Sequence, residues 1–364
     1  MTERKFLSPD RLQDWLQDIQ QEAILFVPTE QDGAIRFETF DPQKGCALER
    51  KPTAPPKRAL FPQTETLLSY RYQKDPENPD RYSLELKEPE ESKQQVIFGC
   101  RPCGAKGFSV FDPLFEQGEL ADPYYREKRE RTVLITLACE EPENGCFCHW
   151  VGGHPADRSG SDLLLIPVSQ GYVVEQASQR GSSFLKSGAL QQATPEQIEE
   201  AKRQEEAVSE KLDQPPELQE VPEKLHRLFE DLDFWREVSA KCISCGACTY
   251  LCPTCYCFNI TDEALGLQGK RIRSWDNCMS YLFTLEASGH NPRPTKAHRL
   301  RNRVNHKFSY YPRLHQGVFA CCGCGRCIQS CPVNVDIREI ILRAKETADE
   351  EPLSSCYPHD HGYH

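Results

Sequence analysis

Apolar positions recur along the chain with two different periods. Leu12, Trp15, Leu16 and Ile19 fall at helical spacing behind Ser8-Pro9-Asp10, which supplies an N-cap serine and a proline for the first turn. A hairpin follows, with an apolar run from Ala23 to Val27, a turn at Asp32-Gly33 and a second run from Ala34 to Phe40. Residues 41–66, rich in proline and lysine, predict an extended surface segment, and Lys74 to Asp80 predicts a turn. Tyr82 to Leu86 alternates like a strand. Two continuous apolar runs, Gln95 to Gly99 and Thr132 to Ala138, predict buried strands, and each runs straight into cysteine. Asp162 to Val168 and Gly171 to Glu175 predict one more hairpin.

The helical period then takes over. Thr194-Pro195-Glu196-Gln197 is a capping box opening a highly charged helix to about Leu212, which Pro215 and Pro216 stop. Its even charge predicts a solvated linker. Leu225, Leu228, Phe229, Leu232 and Trp235 form the apolar stripe of a helix leading to Cys242. The fold class expected is α+β: an N-terminal mixed α/β domain over 1–188, a helical linker over 189–237, a mostly helical domain over 238–347, and a flexible tail over 348–364 that ends in three histidines.

The second domain carries the most specific chemistry. Cys242, Cys245, Cys248 and Cys252, followed by Pro253, read C-x2-C-x2-C-x3-C-P, and Cys321, Cys324, Cys327 and Cys331, followed by Pro332, repeat it. Three thiolates spaced by two residues grip three corners of one iron–sulfur cube, and the fourth reaches the other cluster. The expected wiring is crossed: Cys242, Cys245, Cys248 and Cys331 hold one 4Fe–4S cluster, and Cys321, Cys324, Cys327 and Cys252 hold the second. Zinc ribbons use paired C-x2-C knuckles without the terminal C-P. Cys248, Cys252 and Cys255 also match the C-x3-C-x2-C of radical S-adenosylmethionine enzymes, but two of them already belong to the fuller pattern. The long insert between the motifs, Pro253 to Ala320, has helical character and points to the ferredoxin modules of larger redox complexes.

Other cysteines cluster in the N-terminal half. Cys103, Cys139, Cys146 and Cys148 follow two predicted strands, so parallel neighbouring strands would bring them together as a third metal centre, iron–sulfur or zinc. Buried, unreactive thiols are the alternative. Cys255, Cys257, Cys278 and Cys322 lie beside the ferredoxin motifs, where packing is the favoured role.

Composition narrows the setting. Nineteen cysteines in 364 residues, with no apolar leader at the N-terminus, point to a reducing cytoplasm and to metal rather than disulfides. No apolar run approaches the length of about 18 residues that a membrane span needs. The net charge of −11 argues against a general nucleic-acid binder. One run is basic, holding Arg293, Lys296, Arg299, Arg301, Arg303 and Lys307. Beside anionic clusters, charge compensation or docking of an acidic subunit accounts for it better than nucleic acid. No G-x-G-x-x-G loop, haem motif or acid–base pair in convincing context is present.

Phe98-Gly-Cys-Arg-Pro-Cys103, Cys146-Phe-Cys148, Cys252-Pro-Thr-Cys-Tyr-Cys257, Trp275-Asp-Asn-Cys278, Gly289-His-Asn-Pro-Arg293 and Arg301-Asn-Arg303 accompany the two cluster motifs. With these markers the chain resembles, over roughly residues 55–345, the iron–sulfur β subunit of cytoplasmic NiFe (sulf)hydrogenases and the A subunit of anaerobic sulfite reductases. A similar subunit accompanies heterodisulfide reductase complexes. The resemblance implies an electron-transfer subunit without catalysis of its own. It would relay electrons between a flavin- and NAD(P)-binding subunit and a NiFe hydrogenase or sulfite-reducing module. One departure stands out: an aspartate usually follows the cysteine at 103, and here it is Gly104. The rival of another class is an iron–sulfur redox sensor that binds nucleic acid through the basic run.

Overall fold

The computed structural model describes residues 3–78 and 80–347, so the tail expected over 348–364 lies outside the described residues. The continuous apolar runs become the centre of an eight-stranded sheet. Its members are β1 (Arg4–Leu7), β2 (Ile24–Gln31), β3 (Ala34–Thr39), β6 (Gln95–Cys100), β7 (Thr132–Leu137), β8 (Leu163–Val168), β9 (Gly171–Gln176) and β10 (Gln191–Gln192). Their order is β10–β1–β9–β8–β7–β6–β2–β3. The central strands β2, β6, β7 and β8 run parallel, and antiparallel pairs close both edges.

Every residue of β6 and of β7 is buried because both faces of the sheet are covered. Val96, Phe98, Val133 and Ile135 pack on Trp15, Leu16 and Ile19 of α1 (Leu12–Glu22). Ile97 and Leu134 point the other way, onto Phe108 and Phe111 of α2 (Pro102–Phe115) and Tyr125 of α3 (Pro123–Glu130). The β2–β3 hairpin turns at Asp32 and Gly33, with φ of +52° and +75°, as a two-residue turn requires.

The structure departs from the sequence reading in four places. The charged helix α4 (Pro195–Glu210) has the expected capping box but is no solvated linker. It lies against β8 and β9 and buries Ala201 and Val208. Its few apolar positions suffice because they are small and face the sheet. The single helix expected before Cys242 is two, α5 (Val221–Arg227) and α6 (Leu232–Val238). Asp231 breaks the run by accepting from the Asp233 and Phe234 amides as an N-cap.

Within 41–66, the stretch 52–61 is not at the surface. Pro52, Pro55, Pro56, Lys57, Leu60 and Phe61 are buried, running between the sheet and the cysteine loops. The insert after Pro253, expected to be helical, opens with a hairpin, β11 (Phe258–Leu265) and β12 (Gln268–Trp275). It joins β4 (Thr64–Lys74) and β5 (Tyr82–Lys87) in a second sheet, ordered β11–β12–β4–β5. Buried Arg273 anchors that junction, donating to Glu65 at 2.6 and 2.8 Å and to Asp122. Phe61 stacks on Trp275 with centroids 6.5 Å apart.

The remaining helices form one core. Trp235, fully buried, donates to the Leu228 carbonyl at 2.7 Å. Around it pack α8 (Lys296–Asn305), the π-turn His306–Tyr310 and α11 (Ile337–Thr347). The short helices α7 (Ala247–Tyr250), α9 (Tyr311–Leu314) and α10 (Arg326–Gln329) complete this half.

Candidate metal centres

The two cysteine motifs fold as twins. Ser244 and Gly246 have φ of +58° and +78°, and their counterparts Gly323 and Gly325 have +61° and +73°. This turns the Ser244 amide onto the Cys242 sulfur and the Gly323 amide onto the Cys321 sulfur, each at 3.4 Å. Each loop then enters a one-turn helix, α7 or α10, and these two helices pack together. That packing brings the fourth cysteine of each motif to the first three of the other. One cavity is lined by Cys242, Cys245, Cys248 and Cys331, the other by Cys252, Cys321, Cys322 and Cys324, and Cys327 borders both. The Val335 amide adds a bond to the Cys331 sulfur at 3.2 Å.

Cations line these cavities without carboxylates. Arg303, Lys307 and Arg326 are buried, and none forms an ion pair with Asp or Glu among the described residues. Arg303 borders both cavities, donating to the Cys248 carbonyl at 2.7 Å and the Cys255 sulfur at 3.4 Å. Lys307 donates to Thr254 Oγ1 and the Ala320 carbonyl at 2.7 and 2.8 Å. Burial alone would lower its pKa, yet the sulfurs of Cys252 and Cys255 hold it above the ordinary lysine value. Uncompensated buried cations are costly. Four thiolates around an iron–sulfur group supply the missing negative charge, so the residues present fit such a group.

The four N-terminal candidates also converge. The parallel register that pairs Cys100 with Thr136 sets the ends of β6 and β7 side by side. Cys103 starts α2 and Cys139 follows β7, while the loop 140–148 brings Cys146 and Cys148 to the same open cavity of about 570 Å³. Among the described residues no three His, Cys, Asp or Glu side chains converge tightly enough for a single ion.

This third site touches the second cysteine loop. The Phe147 amide donates to the Gly323 carbonyl at 2.8 Å. Lys51 joins the two, with Nζ 3.3 Å from the Cys146 sulfur, 3.1 Å from the Cys324 carbonyl and 2.9 Å from Glu143. Burial pushes the Cys148 thiol up to about 12, so loading this site must displace protons.

A family model described as a 4Fe-4S dicluster domain matches residues 241–335. A Pyrococcus furiosus protein named sulfhydrogenase 2 subunit beta is 26% identical over 325 residues, covering 88% of this chain and 92% of its own length. The chain is thus similar to a sulfhydrogenase β subunit over most of both lengths. No solved structure gives a significant match.

Within the dicluster domain, the extra cysteines lie against motif cysteines or one another. Cys322 hydrogen-bonds Cys324, which holds Cys324 down to about 5 and pushes Cys322 well up. Cys255 serves Cys252 in the same way, and Cys278 serves Cys257, which falls to about 7. Packing was the expected role, and these thiols do pack. Lys51 and Lys57 were missed, sitting in a segment that reads as surface. Lys57 is buried, donates to the Cys255 carbonyl at 2.9 Å and lies 4.2 Å from the Trp275 ring centre. The departure at Gly104 has a steric reason, since a Cβ there would come within 3.3 Å of Pro56.

Proposed function

We propose that this chain is the iron–sulfur relay subunit of a cytoplasmic, hydrogenase-type oxidoreductase, carrying electrons between a flavin- and NAD(P)-binding subunit and a NiFe catalytic module. The observation that carries the reading is the pair of cysteine-lined cavities in which three cysteines of each motif meet the fourth of the other. A cluster bound in each would supply reversible one-electron transfer. The chain's own residues do the rest. The eight cysteines hold the iron, the amides of Ser244, Gly323 and Val335 stabilise negative charge on sulfur, and Arg303, Lys307 and Arg326 offset it without water.

Cys103, Cys139, Cys146 and Cys148 are proposed to hold a third iron–sulfur cluster, reached through the contact of Cys146–Cys148 with the Cys321–Cys327 loop. The same relay role in an anaerobic sulfite reductase or heterodisulfide reductase complex is the nearest alternative, differing only in the partner. The nucleic-acid reading loses its support, because Arg299, Arg303 and Lys307 are buried and unavailable to phosphates.

Iron and acid-labile sulfide on anaerobically purified chain, with EPR of the reduced form, test the proposal. About twelve irons per chain are expected, and about eight would remove the third cluster. Almost none would overturn the relay reading.

A further inference from the structure

The twin loops differ in what covers them. The second loop is roofed by the chain's own residues 145–148. A Cβ on Gly323 would lie 2.5 Å from Cys148 backbone atoms, and one on Gly325 would strike the Gly145 carbonyl. Glycine is therefore required there for space as well as for φ. The first loop has the same backbone but carries Ser244 at φ +58°, a strained choice that is half-buried beside Arg299, with only side chains such as Asn277 near it and no backbone segment packed on it as Gly145–Cys148 packs on the second loop. The position before it shows the same contrast: Cys322 is 2% exposed and its twin Ile243 is 61% exposed. Cys245 is the one exposed cysteine among those described.

The bare loop is apolar, and its surroundings are too. Arg299 ties it to its neighbour, donating to Ser244 Oγ at 3.3 Å and lying 6.0 Å from the Tyr281 ring centre. Tyr281, Leu282 and Leu285, on the turn beside it, are all exposed. A cluster ligand at the surface inside an exposed apolar rim is poorly suited to water. It is suited to a protein that covers it and brings a redox centre close.

We infer that the face formed by Ile243, Ser244, Cys245, Tyr281, Leu282 and Leu285 docks a redox partner subunit. The partner seats a loop on the Cys242–Cys248 motif as Gly145–Cys148 seats on Cys321–Cys327, and presents its own flavin or iron–sulfur group there. The chain then has one end at the third site and the other at the exposed Cys245. This rests on reading the two motifs as cluster loops, which the iron count tests separately.

The test uses the complex purified from its native host through a tag on this chain. Hydrogen exchange over 241–250 and 280–286 is compared between the complex and the isolated chain, with β5 as the reference segment. Protection confined to the first two segments is expected. Ile243→Lys and Leu282→Lys are expected to keep iron content and the EPR of dithionite-reduced chain. Both should slow cluster reduction by the complex's natural donor by about tenfold or more, as for loss of a central interface contact. Leu84→Lys, on exposed β5, should not. If Ile243→Lys loses iron, Leu282→Lys decides, since it lies outside the ligand loops. Absent protection together with full rates in the Leu282 variant overturns the docking face and leaves the relay reading standing. Iron-free wild-type chain would overturn the relay reading itself.

Discussion

At the scale of single residues, the buried cations distinguish this site from a plain thiol core. Arg303 borders both cavities, so Arg303→Met is expected to lower both cluster midpoints together, read by EPR-monitored redox titration. Leaving the anions uncompensated should also cost about 3–5 kcal/mol in stability. A shift confined to one midpoint would show that Arg303 serves a single cluster. The twin loops allow a reciprocal exchange. Ser244→Gly removes left-handed strain and is expected to be neutral or stabilising by up to about 1 kcal/mol. Gly323→Ser places the twin's own residue under Cys148 and is expected to cost about 1–3 kcal/mol, and to perturb the third site before the first. Denaturation of both variants, with iron counts, checks the pair.

At the scale of elements, two polar junctions tie the halves together. The β4–β12 junction is closed by Arg273 between Glu65 and Asp122, all largely buried. Arg273→Met leaves Glu65 to Lys128 and Asp122 to the α3 cap amides, and should cost about 1–3 kcal/mol, lowering the denaturation midpoint while the eight cluster cysteines keep their iron. On the other flank, Glu175 bridges Arg4 of β1 and Arg158, which also pairs with Glu205 of α4. Burial would raise the Glu175 pKa, but its bonds to Arg158 and Arg4 hold it below the ordinary 4.5. A depressed carboxylate contributes stability that is present above pH 4.5 and lost as pH falls through the folded value. Glu175→Gln is expected to destabilise at pH 7 and to flatten the loss of stability below pH 4.5, seen in thermal melts across that range.

At the scale of the whole molecule, the sheet and the cysteine-bearing core depend on iron differently. The eight-stranded sheet has an apolar core of its own, whereas the cysteine-bearing core also buries Arg303, Lys307 and Arg326, with no Asp or Glu paired to them among the described residues. Stripping the iron is expected to open 238–335 to limited proteolysis while the N-terminal sheet stays resistant and keeps its circular-dichroism signal. Equal protection of both halves would show that the cations do not need the clusters. Replacing Cys146 and Cys148 by serine should lower iron from about twelve to about eight per chain and leave the dicluster signals in place.

The relay chemistry was legible in the chain itself. Cysteine spacing along a short loop sets which thiols share a cluster, because consecutive residues cannot separate far, and continuous apolar runs forecast β6 and β7 for the same local reason. The capping box at Thr194 forecast the start of α4 but not its seat on the sheet, which depends on a distant surface meeting Ala201 and Val208. Nor could local pattern show that 52–61, within the proline-rich segment 41–66, is interior, since its burial comes from contacts with residues 198 and 274 positions away, as between Lys57 and Cys255 or Arg326 and Pro52. Pairing β12 with β4, placing Lys51 between Cys146 and Cys324, and leaving Ser244 bare where Gly323 is roofed were decided only by the tertiary structure. Such contacts join chain segments whose separate sequences carry no record of each other.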